Sequence, residues 1–411
     1  MAKQDIQVHR LDNGMTLVTE AMPEVMSAAF VFLLPAGVVY DPPGHTGTMS
    51  VLSELVYRGA GPYDNRELND RLDALGLHRH SSIATTHATF GGSLIHDKLH
   101  EALRLHALML RQPTLDDRQF EISRELTLQS LASLDDEPQQ KISLLALEQY
   151  LPDPFGRPAP GKTDEVSSLS AQTVRGHWAG QFTPRGTILA VAGKFDLDQL
   201  KRHVEELFGD WDGLSVEEPA PGDVRETIWH QDTPGSQVHL AICYPSAPFQ
   251  HADYYAALAA SGVLSGGMGS RLFTEVREKR GLCYAVGAAH RVYGPFGVIR
   301  CYLGSSPDRV QQALDVTIGE LRRLGQGIEP DELERAKVGL RSSLVMQGES
   351  TGSRALACAS DQAHLGRVRP LSEIEQGILS LTVQDVVDHV QRFPAERVTV
   401  ASLGPKQVTL T

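Results

Sequence analysis

The chain has 411 residues, 41% of them hydrophobic and 22% charged, with a formal net charge of −13. That length exceeds one ordinary core and predicts two to three globular domains. The acidic balance excludes a nucleic-acid binder with a general basic surface, leaving only local spots such as Arg277-Glu278-Lys279-Arg280.

No apolar run approaches the ~20 residues of a membrane span, and the first residues hold no signal-peptide core. Cys243, Cys283, Cys301 and Cys358 form no CxxC pair. They predict buried thiols in a reducing compartment, with no membrane partner and the cytoplasm as the expected location.

In chain order, Met15 to Glu20 and Ala28 to Leu34 predict two opening strands. Helices are predicted over roughly Thr46 to Arg58, Asn65 to Leu75, Lys98 to Leu110, Leu115 to Ser133 and Ile142 to Tyr150. Thr187 to Gly193 is a short apolar run that stops at Gly, as a buried strand does. The acidic, Pro-rich stretch 216–223 has nothing to bury and predicts a linker. Strands resume over Thr227 to His230 and Gln237 to Tyr244. Helices follow over Ala252 to Leu264, Arg271 to Lys279, Pro307 to Arg323 and Pro330 to Gln347, and Val398 to Gly404 closes the chain as another strand.

The second half repeats the first. Ser168-Leu169-Ser170-Ala171-Gln172-Thr173-Val174 matches Ser380-Leu381-Thr382-Val383-Gln384-Asp385-Val386. The step from Ser168 to Ser380 also relates His177 to His389, Arg185 to Arg397 and Thr187 to Thr399. This predicts a tandem duplication, with domains at 1–215 and 224–411 around the linker. Strands, then helices, then a returning strand predict an α+β class: two homologous halves, each a mainly antiparallel sheet covered by helices.

The run Arg271-Leu272-Phe273-Thr274-Glu275-Val276-Arg277-Glu278-Lys279-Arg280-Gly281-Leu282-Cys283-Tyr284 resembles the substrate-clamping segment of the insulinase-like (pitrilysin, M16) metallopeptidases. The resemblance extends over nearly the whole chain. It implies that Arg277 and Tyr284, seven residues apart, orient the carbonyl groups of a peptide lying extended on a sheet edge and stabilise its developing oxyanion. From residue type alone, Arg277 reads as the charged outer face of a helix and Tyr284 as a half-buried strand aromatic. Gly266, Gly267 and Gly269 lack the P-loop pattern. They read as a flexible connection or, by the resemblance, as a loop lining a substrate chamber.

In that family HxxEH on a helix and a Glu about 76 residues on bind zinc. The matching stretch here is Gly47-Thr48-Met49-Ser50-Val51-Leu52-Ser53-Glu54. It places Ser50 and Glu54 at the His positions, Ser53 at the general base and Ser130 at the far ligand, so no metal is expected in this chain. His78 and His80, on one face of a strand, and His87 nearby are the remaining imidazole group, without an evident third ligand.

The resemblance therefore implies a metal-free, substrate-binding subunit of a heterodimeric zinc peptidase. It would pair with an HxxEH-bearing subunit that holds the zinc, supply Arg277 and Tyr284 to that subunit's active site, and act on unfolded peptides. The alternative is a structural or assembly subunit resembling the core proteins of the bc1 complex. A third possibility, a self-sufficient hydrolase, finds no triad or nucleophile elbow in the sequence.

Overall fold

The computed structural model of the chain describes residues 4–410. Two compact units emerge, each built on one sheet. The first holds residues up to Ala132, Ala159–Pro219 and Met346–Leu371. Its strands are β1 (Asp5–Arg10), β2 (Thr16–Ala21) and β3 (Ser27–Leu34), followed by helix α1 (Thr48–Leu55). A two-stranded ribbon, β4 (Gly59–Ala60) and β5 (Tyr63–Asp64), leads into α2 (Asn65–Ala74). Strands β6 (His78–Ile83) and β7 (Ala88–Ile95) form a hairpin, and helices α3 (Leu99–Arg111) and α4 (Asp117–Ser133) follow.

The next helix, α5 (Pro138–Tyr150), belongs to the other unit. The chain then returns through α6 (Thr163–Ser168), α7 (Ala171–Gln181), strand β8 (Ile188–Gly193) and α8 (Leu197–Phe208). The six strands lie in the order β1-β2-β8-β3-β7-β6. β8 is buried along its full length, as its unbroken apolar run requires.

The second unit holds Ser133–Pro158, Ala220–Val345 and the residues from Ser372 onward. Its elements are β9 (Ile228–Gln231), β10 (Val238–Ser246), α9 (Tyr254–Ser265), a π-helical turn (Phe273–Glu278), β11 (Ala285–Tyr293) and β12 (Phe296–Ser305). Helices α10 (Val310–Leu324) and α11 (Pro330–Gly348) follow. Helix α12 (Thr351–Leu365) lies in the first unit, after which α13 (Leu371–Leu379), α14 (Val383–Arg392) and β13 (Thr399–Leu403) complete the chain. The sheet order is β11-β12-β10-β13-β9.

Read from β9, this order reproduces β2-β8-β3-β7-β6 of the first unit. The registers agree residue by residue in the parallel pairs. Thr16 faces Ile188 in one unit and Ile228 faces Val400 in the other, related by the same step as Ser168 and Ser380. The matched helices carry matched caps. Ser170 Oγ accepts from the Thr173 amide at 3.1 Å, and Thr382 Oγ1 from that of Asp385 at 3.2 Å. Both return strands end on a left-handed glycine, Gly193 (φ 125°) and Gly404 (φ 143°). A β-carbon there would sit 2.4 Å from the Ser27 carbonyl or 2.7 Å from that of Gln237, so a side chain is excluded.

The expected division at 216–223 needs one correction. The chain passes between units at Pro219–Ala220, but residues 133–158 and 346–371 are exchanged. The cause is apolar. Helix α5 packs on β10, β12 and β13, while α12 packs on β2, β3 and β8. There Ala355, Cys358 and Ala359 bury against Val18, Ala29, Val31, Leu33 and Ala190. All four cysteines are free and buried. No helix among the described residues is long and apolar enough to cross a membrane.

Candidate functional site

The run from Gly266 to Tyr284 lies wholly in the second unit. It starts at the end of α9, where Gly266, Gly267 and Gly269 are exposed and line a depression of about 320 Å³ against α11. Arg271 then anchors the chain. Its guanidinium is buried, donating to both Glu332 carboxylate oxygens (2.7 and 2.6 Å) and to the Gly327 carbonyl (2.9 Å). The α-helix expected over Arg271 to Lys279 is corrected: Phe273–Glu278 is a π-helix, with the Lys279 amide donating to Thr274 at 2.9 Å. The segment is pinned at both ends, by Arg271 and by left-handed Gly281 (φ 58°), with Leu272 and Val276 fully buried between them.

This turn points Arg277 outward. Its guanidinium lies over the Phe273 ring, 5.0 Å from the centroid. The neighbouring cations are occupied elsewhere. Glu275 accepts from Lys279 (2.7 Å) and Arg280 (2.6 Å), and these hydrogen bonds bring its carboxyl pKa down to about 2. Burial pushes the Cys283 thiol up to about 11, with the positive charge of Arg277 pulling the other way. That charge therefore lies beside Cys283, and Tyr284 is the next residue.

The Tyr284 amide donates to the Gly304 carbonyl at 2.9 Å, while its side chain is 64% exposed. Tyr284 reads from residue type as a half-buried strand aromatic, but the strand begins at Ala285, so Tyr284 stands exposed at its threshold. That strand, β11, is the edge of its sheet. Among the described residues no further strand pairs with its outer side, which can receive another strand. Arg277 and Tyr284 thus flank the start of an open edge. Phe273, Glu275 and the Arg271–Glu332 pair pack or bond around this turn, and nothing local in the sequence signals that role. Only a hydrophobic-and-charged string marked them.

The other sequence-predicted residues lie in the first unit. Ser50, Ser53 and Glu54 are on α1. Ser50 Oγ donates to the Ala159 carbonyl (2.8 Å) and Ser53 Oγ to that of Ser50 (2.8 Å). Glu54 pairs with Arg58 at 2.7 Å. Ser130 is exposed on α4.

This set does not fit a zinc ion. It offers one carboxylate, already neutralised by a guanidinium, and hydroxyls in place of imidazoles. Among the described residues no three His, Cys, Asp or Glu side chains gather as a metal site. His78 and His80 are exposed on edge strand β6. His87 lies instead near His364, with ring centroids 6.0 Å apart and the planes tilted by 49°, and burial together with that second ring brings its pKa down to about 4.

Comparison with known proteins adds family information. The family described as Insulinase (Peptidase family M16) matches residues 16–154, and the Peptidase M16 inactive domain matches 168–340. A protein of Rickettsia bellii named "Uncharacterized zinc protease" is 22% identical over 99% of both chains. One of the same description from Mycobacterium bovis is 27% identical, over 96% of this chain and 92% of its own. Among solved structures, the peptidase M16 inactive domain from Pseudomonas fluorescens superposes with a TM-score of 0.87 at 19% identity, covering 99% of each chain. A protease from Helicobacter pylori gives 0.89 at 18% identity, covering 98% of this chain and all of its own. At these identities the structures speak for the fold.

Proposed function

Since the chain belongs to the insulinase (M16) peptidase family, we propose that it is the substrate-holding, metal-free member of a two-subunit zinc peptidase acting on unfolded peptides. The observation that carries this reading is a contrast within one chain. On α1, Ser50, Ser53 and Glu54 at the zinc-motif positions are already bonded within their own unit, whereas Arg277 and Tyr284 project from the start of an edge strand. A scaffold has no use for that second arrangement.

In this reading a peptide adds to β11 by main-chain hydrogen bonds, which makes binding tolerant of sequence. The Arg277 guanidinium and the Tyr284 hydroxyl donate to the peptide carbonyl at which charge develops. A partner subunit bearing HxxEH supplies the zinc-bound water. Phe273 beneath the Arg277 plane limits its swing, so the donor is preorganised.

The test is reconstitution. The purified chain alone should bind no stoichiometric zinc and cleave no peptide. Mixed with an HxxEH-bearing M16 subunit from the same source, it should raise turnover from near zero. Arg277→Ala and Tyr284→Phe should each lower kcat by about 100- to 1000-fold, with assembly unchanged by size exclusion. Near wild-type turnover in the double variant would assign the chain to the structural or assembly role instead.

A further inference from the structure

The face of the second sheet that α5 covers has an opening at its β12 side. A depression of about 650 Å³ lies there, bounded by Gln139, Gln140 and Leu144 of α5 and by His239, Arg300 and Tyr302 of the sheet. Arg300 is half-buried, yet among the described residues its guanidinium has no hydrogen bond and no ion pair. The more deeply buried arginines behave differently: Arg271 is paired with Glu332 and Arg354 with Glu20. A partly desolvated cation without a carboxylate is costly unless something else brings the counter-charge.

The register says from where. Arg300 lies opposite Ala289 of edge strand β11, and Tyr302 opposite Gly287. Paired residues in an antiparallel ladder are side-by-side neighbours. Directly beside Arg300 there is only a methyl group; the large side chains of β11 on this face, Arg291 and Tyr293, stand further along the strand. A strand added there would run ~10 Å from β12, two strand spacings away. A glutamate and an arginine leaning toward one another span that gap.

We propose that this depression is a subsite for one acidic side chain of a peptide strand laid along β11, with Arg300 as its counter-charge. Tyr302 supports the same ligand. Its hydroxyl lies 2.9 Å from His239 Nδ1. With Nδ1 protonated, His239 donates to the phenol oxygen and leaves the hydroxyl proton free for the carboxylate. Burial lowers the His239 pKa, so the ring is neutral at pH 7 and adds no second positive charge. Glu137 also lines the depression, and its repulsion of an acidic side chain is what Arg300 and Tyr302 must outweigh. The proposal rests on the reading of β11 as the peptide edge and adds a preference to it.

The test is direct binding to the purified chain, which needs no partner and no turnover. The probes are short, unstructured, end-capped peptides with Glu, Gln or Lys at one scanned position, and a neutral peptide with a free C-terminal carboxylate. At one position Glu should bind about tenfold more tightly than Gln. Arg300→Gln should erase that preference without weakening the Gln peptide, Arg300→Lys should retain part of it, and Arg300→Glu should shift it to Lys. Tyr302→Phe should reduce it, which keeps the test open should the Arg300 variants fold poorly.

Equal binding of the Glu and Gln peptides at every position would overturn the subsite while leaving the strand-edge reading intact. A preference carried only by the free C-terminus would overturn the side-chain assignment. No binding of any peptide would overturn both readings.

Discussion

Asp253 Oδ2 lies 3.6 Å from His389 Nδ1, and at the matching place in the first repeat Asp41 Oδ1 lies 3.8 Å from His177 Nε2. The two pairs are the same contact in two copies of one fold, turned to different uses. Asp41 accepts the Gly47 and Met49 amides (2.8 and 2.9 Å) and so fixes the start of α1. Asp253 is instead shared with Arg392. Both imidazoles are neutral at pH 7, because burial brings each pKa down to about 4.

A pH dependence follows. His106, packed against Phe30 with ring centroids 4.7 Å apart, is also held down to about 4 by burial. An unfolded histidine takes up a proton near pH 6.5. Between about 6.5 and 4 the unfolded chain therefore binds protons that the folded chain refuses, and stability falls as pH falls. One such group removes about 2 kcal/mol between pH 7 and 5. Urea melts of wild type and His106→Leu at the two pH values should show the variant losing about that much less. Parallel losses would place the effect elsewhere.

The clamp should be separable from the fold. Arg277 and Tyr284 are exposed, and Arg277 has no ion pair among the described residues. Arg277→Ala and Tyr284→Phe are expected to leave unfolding free energy within about 0.5 kcal/mol of wild type in denaturant titrations. A loss above about 2 kcal/mol would mean that these side chains serve the fold.

Arg271 should behave in the opposite way. Removing it takes the guanidinium from the Gly327 carbonyl and from the Glu332 carboxylate, which keeps only the Glu329 amide (2.9 Å), in a partly buried setting. Arg271→Ala should cost about 3–5 kcal/mol. Hydrogen exchange should rise first at the Thr274 to Lys279 amides, because the π turn loses its anchor.

Glu20 and Arg354 offer a parallel case in the first unit. The carboxylate accepts from Arg354 at 2.8 and 2.7 Å, and both side chains are buried. Arg354→Met alone should destabilise by about 3–5 kcal/mol, whereas Glu20→Leu combined with Arg354→Met should recover most of the loss. Thermal melts of the two variants decide it. Equal destabilisation would show that specific hydrogen bonds, not the unpaired charge, set the cost.

How much of this was legible in sequence depended on range. The repeat showed because Ser168 to Val174 and Ser380 to Val386 are local strings with local caps, and the returning strands stop at glycine. Asp41 and Asp253 obey the same step but stand outside any such string, so nothing marked them. The residues of α5 and α12 announce helices, yet an apolar helix face does not say which sheet it will cover. The π turn at Phe273 left no local signal for a related reason: its cause is Glu332, 61 residues away from Arg271. Arg300 left no signal at all, since its meaning lies in the small neighbour Ala289 across the ladder.

The exchange of α5 and α12 bears on how such a chain could have arisen. The two helices occupy corresponding places in the repeat, and each covers the sheet of the other half's unit. A free polypeptide carrying a single repeat would leave its own sheet bare, with the counterparts of Val18, Val31 and Leu33 facing water. It could complete itself only by trading that helix with a second copy. The exchange within this one chain is the same exchange that a domain-swapped homodimer makes between two.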